Sequence, residues 1–123
     1  MTSQTLAYQE LAQSPTRSIK DTEIEIILKT TRNLNRANQK RSSDFPGFAA
    51  ALRNNCKLWT TLAADVASSQ NALPCEVRAK IFYLCEFTLE HTTQVLAGKI
   101  SADVLIEINQ SILRGLANKG NSE

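Results

Sequence analysis

The chain has 123 residues, enough for one domain that buries roughly two-thirds of its unfolded surface and needs no disulfide or metal to fold. Only four glycines and three prolines are present, which argues against a turn-rich sheet protein and a low-complexity chain. Lys plus Arg total 14 against 12 Asp plus Glu, so a strongly basic nucleic-acid coat and an acidic tail protein are excluded, although a local basic patch is not.

The first segment, from Gln4 to Gln13, carries Leu6, Ala7, Tyr8, Leu11 and Ala12. It reads as a short helix with one apolar side, too short to hold without docking on something larger. Ser14-Pro15-Thr16 breaks it. The first main helix is expected from Pro15 or Asp21 to Lys40. Ile24, Ile27, Leu28, Thr31 and Leu34 recur at the spacing of one buried face. Asp21, Glu23 and Glu25 come early and Arg36, Lys40 and Arg41 late, which complements the helix dipole. Ile19 and Ile26 fall on the opposite side, where the N-terminal segment is the nearest cover.

Ser42-Ser43-Asp44 supplies a break and an N-cap, and Pro46 suits the first turn of a second helix running to Ala67. Its apolar positions are Phe45, Phe48, Leu52, Cys56, Trp59, Ala63 and Val66, flanked by Ala51, Leu58 and Leu62. That sector covers about half the wheel, wider than the ~100° stripe a one-sided helix needs. After the loop Ser68-Ser69-Gln70-Asn71, Pro74 opens a third helix that extends to Ala97, with Gly98 as its stop. Val77, Ile81, Leu84, Thr88 and Val95 form one face. Phe82, Cys85, Leu89 and Leu96 widen it, and Tyr83 and Phe87 lie on the far side. A helix so apolar all round is expected at the centre of the fold. Ser101 caps the fourth helix, with Val104, Leu105, Ile108, Ile112 and Leu116 on one face and Ile106 and Leu113 as a flank. Residues 118–123 close the chain as a frayed polar tail. Nothing alternates with period two. The expected fold is all-α: a single domain over 1–123, a small antiparallel bundle of four main helices plus the short N-terminal helix, with residues 1–16 docked on it.

Cys56, Cys75 and Cys85 are odd in number and not closely paired, which fits neither a disulfide framework nor a zinc site and points to the cytosol. The N-terminus has no basic cluster followed by an apolar run. The longest unbroken apolar stretch, Phe48 to Leu52, is far short of the ~18–20 residues of a membrane span. The single histidine, His91, has no metal-pairing neighbour at i+3 or i+4 and reads as a surface or half-buried side chain. Glycine-rich phosphate loops and nucleophile elbows are absent, so no enzyme, cofactor or metal is expected.

Two binding surfaces remain. Lys29, Arg32, Arg36 and Lys40 make a basic stripe that could track RNA phosphates, or a solvated face without an aromatic for base stacking. The surplus flanks of the second and fourth main helices make either a groove for a partner helix or packing on two neighbours each. The candidate partner-binding residues are Asn55, Leu58, Trp59, Leu62, Ile106, Asn109 and Leu113.

A more specific signal lies in Leu52-Arg-Asn-Asn55-Cys-Lys-Leu58-Trp59-Thr-Thr-Leu62-Ala63-Ala-Asp65, then Asn71-Ala-Leu73-Pro74, then Arg78-Ala79-Lys-Ile81. This resembles the FlaF family of flagellar biosynthesis regulators of alphaproteobacteria, with its pattern N-x-x-LW-x-x-L-x-x-D…N-x-LP…RA-x-I. Ala7-Tyr8, Thr31-Arg32-x-Leu34, His91 with Val95-Leu96-x-Gly98, and Leu105-Ile106-x-Ile108-Asn109-x-x-Ile112-x-x-Gly115-Leu116 extend it along nearly the whole chain. Lys40-Arg41 and the tail after Leu116 match no motif. The resemblance implies a cytoplasmic protein that promotes flagellin production or export and works in opposition to the regulator FlbT. It implies flagellin as the partner, held through an amphipathic terminal segment by an export chaperone. Translational control through RNA, or an adaptor acting through FlbT, is the alternative. Of the motif's polar positions, Asp65 and Asn71 are expected to cap or fix loops. Asn55 and Asn109 are open between bonding a docked helix and bonding inside the core.

Overall fold

The computed structural model describes residues 21–68 and 73–121, with side chains over 23–68 and 73–116. The expected N-terminal helix, its docking, Ile19 and Asn71 lie outside the described residues. Among the described residues there are four α-helices: α1 (Asp21–Gln39), α2 (Phe45–Ala67), α3 (Cys75–Leu96) and α4 (Asp103–Asn121). Among the described residues there is no strand. The last helix continues to Asn121, into the stretch expected as a polar tail.

The helix ends follow the local chemistry. Asp44 caps α2: its Oδ1 accepts the backbone N–H of Gly47 at 3.0 Å, and Pro46 occupies the first turn, where its missing N–H costs nothing. Ser101 does the same for α4, its Oγ accepting the Asp103 N–H at 3.0 Å. Gly98 stops α3 in the left-handed region at φ 78°. Its N–H reaches the Val95 carbonyl at 2.9 Å and the next N–H, of Lys99, reaches the Gln94 carbonyl at 3.0 Å. These two bonds make a Schellman motif, which a residue with a Cβ would enter only under strain.

Short connections make sequential helices antiparallel neighbours, arranged as the four sides of a bundle. α1 packs on α2, α2 on α3, and α4 returns to α1, while the α3–α4 side is the loosest. The interior divides into two clusters. At one end Leu34, Phe48, Leu52, Val95, Leu105 and Ile106 are all buried. At the other end Ile27, Leu62, Val66, Leu73 and Ile81 are buried, but Val77, Leu84, Ile108, Ile112, Leu113 and Leu116 are only partly covered.

The most enclosed helix is α2, not α3. Along α2 the buried set is Phe48, Ala49, Ala51, Leu52, Asn55, Leu58, Trp59, Leu62 and Val66. Along α3 it is only Ile81, Cys85, Thr88, Thr92 and Val95. The expectation that the third helix lies at the centre is therefore corrected: it packs one side on α2 and leaves much of its apolar surface in solvent.

Candidate functional site

The residues expected to form a partner groove on α2 and α4 are core. Asn55, Leu58, Trp59, Leu62, Ile106 and Asn109 are all buried, and Leu113 is half-buried. The physical reason is the second neighbour: α2 is flanked by both α1 and α3 and faces α4 across the bundle, so its wide apolar sector is covered except at its first residue, Phe45, which is exposed. Trp59 shows the arrangement. Its indole Nε1–H donates to Asn109 Oδ1 at 2.9 Å, and Asn109 Nδ2 donates to Asn55 Oδ1 at 2.8 Å. The two asparagines thus join α2 to α4 inside the core. The Asn55 Nδ2 is buried without a hydrogen-bond partner.

The basic stripe is placed as the sequence suggested. Lys29, Arg32 and Arg36 are exposed along α1, and Lys40, just past its last residue, is exposed as well. Arg41, just beyond it, is turned back onto the helix end, where it donates to the Asn38 carbonyl at 2.7 Å. Asn38 in turn donates to Asp103 Oδ1 at 3.1 Å and ties the end of α1 to the start of α4.

Among the described residues half of the large apolar side chains that reach solvent lie on α3. The others are Ile26 and Leu28 of α1, Phe45 at the start of α2 and Ile100 in the α3–α4 loop, so Leu28 is not on the buried face that its spacing predicts. Phe82 is 42% exposed, Tyr83 64% and Leu89 42%, and Leu96 continues the run of Phe82 and Leu89 at helical spacing. Tyr83, Phe87 and His91 follow one another at i+4: ring centroids are 6.5 Å apart in the first pair and 5.1 Å in the second, both stacked. His91 Nε2 lies 3.2 Å from the Ser101 carbonyl, which anchors the ladder to the α3–α4 loop. Ile26 on α1 is also exposed, as the wheel implied for a residue needing cover from elsewhere. Sequence reading missed Phe82, Tyr83, Leu89 and Leu96 as surface. The signal was present: a helix apolar all round is either central or carries an unpartnered face, and periodicity does not separate the two.

The three thiols are graded. Cys75 is exposed, Cys56 half-buried and Cys85 buried. Cys85 has its pKa raised, first by burial, which desolvates the thiolate. Cys56 and Glu86 nearby push the same way, while a hydrogen bond from Thr60 opposes them. Among the described residues no three His, Cys, Asp or Glu side chains gather to hold a metal, and no helix is long and apolar enough to cross a membrane.

Against this geometry, the family model described as flagellar protein FlaF matches residues 4–116. No curated protein and no solved structure gave a significant match.

Proposed function

The chain belongs to the FlaF family of flagellar proteins, and from that premise we propose that it binds flagellin in the cytoplasm as a secretion chaperone and promotes its production and export. The observation that carries this reading is the solvent-facing apolar run of Phe82, Leu89 and Leu96 beside Tyr83 on a helix closed at its C-terminal end by a Schellman motif. An exposed apolar helix face costs solubility unless a partner covers it. The partner in this reading is an amphipathic terminal segment of flagellin, disordered before assembly, that folds as a helix when it docks and is kept from premature polymerisation. The protein acts by binding alone, with no covalent step, cofactor or metal.

Calorimetric titration with purified flagellin at two salt concentrations tests the reading. Saturable binding that persists at high salt is expected, because burial of apolar surface is not screened. Absence of binding at both salts would overturn it.

A second reading rests on the exposure of Lys29, Arg32 and Arg36 along α1 and of Lys40 just beyond its end. A regulator of flagellin message using this stripe would bind RNA with steep salt dependence. An adaptor acting through FlbT would bind neither flagellin nor RNA directly.

A further inference from the structure

The outer face shared by α2 and α3 carries three parallel bands of different chemistry. Two contacts fix which side chains form it. Cys56 Sγ lies 3.3 Å from Thr92 Oγ1, and Thr60 is hydrogen-bonded to Cys85. Phe82, Leu89 and Leu96 stand three or four residues from Cys85 or Thr92, so they run beside the line where α3 touches α2. All three are exposed, which puts them on the solvent side of that line. Each step of four residues turns about 40° further round a helix. From Phe82 such steps lead to Glu86 and then Glu90, both exposed and progressively turned away from α2. On α2, Arg53 precedes Cys56 by three residues and Lys57 precedes Thr60 by three, and both are exposed. The face therefore has a basic rim on α2, an apolar band along the groove and an acidic rim on α3. Because Cys56 is level with Thr92 and Thr60 with Cys85, Lys57 and Glu90 lie at the same height to within about one helical turn. The apolar band repeats every seven residues, and the position seven before Phe82 is Cys75, also exposed. Seven is the repeat of a helix that packs lengthwise on another helix.

Such a face is complementary to itself. A two-fold axis puts the same patch on both sides of an interface, and it can lie in two directions here. An axis across the helices makes them antiparallel and sets basic rim against basic rim. An axis along the helices keeps the two α3 helices parallel and sets each basic rim against the acidic rim of the other copy. The apolar band, lying between the rims, meets its counterpart in both cases, so charge chooses the second. The 22 residues of α3 make the face about 33 Å long, and two helices make it about 20 Å wide. That is on the order of 650 Å² a side, near the lower end of specific interfaces.

We propose that this face docks a second copy of the chain in a reversible two-fold dimer, α3 parallel to α3, with Phe82, Leu89 and Leu96 against their counterparts and Lys57 opposite Glu90 of the second copy. The dimer stands independently of the flagellin-binding reading. Competition between the two rests on that reading, because both use the same apolar band. A second copy then shields the band in the free protein and lowers the apparent affinity for flagellin by the fraction of chains that are paired.

Sedimentation velocity over a concentration series tests the dimer, with a Kd on the order of 10 μM expected for an interface of this size. Lys57→Glu and Glu90→Lys each set like charges opposite one another twice and should weaken the dimer about tenfold. An equal mixture of the two variants should associate as the native chain does, since the mixed pair has opposite charges at both contacts. Leu89→Asp should melt like the native chain, because the side chain is exposed, and raise the Kd about a hundredfold. A short bismaleimide should link the native dimer through Cys75 and leave Cys75→Ser unlinked, since parallel helices bring the two thiols together and antiparallel ones hold them about 30 Å apart. A chain that stays monomeric throughout overturns the proposal. So does a dimer indifferent to Leu89→Asp, a mixture no tighter than its components, or a dimer that Cys75 does not link. Titration with flagellin separates the two readings. Flagellin binding by a strictly monomeric chain removes the dimer and keeps the chaperone reading, whereas a dimer without affinity for flagellin keeps the proposal and removes that reading.

Discussion

Trp59 and Asn109 lie on helices that face each other across the bundle, and the indole N–H of the first donates to the side-chain carbonyl of the second at 2.9 Å, both residues being buried. A tryptophan fills core volume efficiently, but its N–H must find an acceptor once out of water. Asn109 provides that acceptor and spends its own amide on Asn55, so one residue satisfies a donor and an acceptor on α2. The pair sets how α4 sits against α2, since small shifts would break a hydrogen bond between two buried groups.

Asn109→Ala is therefore expected to destabilise the fold by about 1–3 kcal/mol for each group it orphans, the Trp59 N–H and the Asn55 carbonyl. Urea unfolding followed by far-UV circular dichroism measures this. Combined with Trp59→Phe, the loss should be clearly less than the sum of the single losses, as for residues sharing one bond.

Leu58→Asp separates a core position from a binding surface. Leu58 is 8% exposed and packs in the cluster with Trp59 and Leu62. An uncompensated carboxylate there should cost about 4 kcal/mol or more and abolish the cooperative thermal transition seen by circular dichroism. A variant that melts normally would return Leu58 to the surface.

Phe82→Ser and Leu89→Ser should behave in the opposite way. Both remove exposed side chains, so stability is expected to move by no more than about 0.5 kcal/mol. In the flagellin-binding reading each weakens the complex by about tenfold, the ordinary loss for an apolar anchor at an interface. Equal affinity for wild type and the double variant, by calorimetry, would move the partner surface away from α3.

Reversing Arg32 and Arg36 to Glu addresses the basic stripe. Flagellin affinity at high salt should be unchanged. If RNA binds this face, affinity falls across all sequences and the salt slope decreases by about one for each contact removed.

The cysteines give a prediction tied to pH. Cys85 holds its proton more tightly folded than unfolded, because burial penalises the thiolate. Between the ordinary thiol range and the raised folded value, the unfolded chain is the one that ionises. Stability from this site is thus fully present below the unfolded pKa and declines as pH rises through the folded one. Alkylation at pH 8 should label exposed Cys75 first, half-buried Cys56 next and Cys85 last. Early labelling of Cys85 would show that α3 opens locally.

Much of the architecture is local and so legible from residues alone. Asp44 before Pro46, Ser101 two residues before Asp103, and Gly98 after an unbroken apolar helix each mark an end where they stand, because caps and left-handed stops act over three or four residues. The helix spans, the all-α class and the family resemblance in the Asn55–Trp59–Asp65 block come from the same short range. What periodicity reports is the width of an apolar sector, not the number of neighbours that cover it. α2 and α3 both have wide sectors, yet α2 has neighbours on both sides and one across the bundle, while α3 has one close neighbour and a loose seam. Only the tertiary arrangement decides that Leu58 and Ile106 are core and Phe82 and Leu89 face water. Burial is a property of the helices that surround a position, and those are brought there by parts of the chain far from it in sequence.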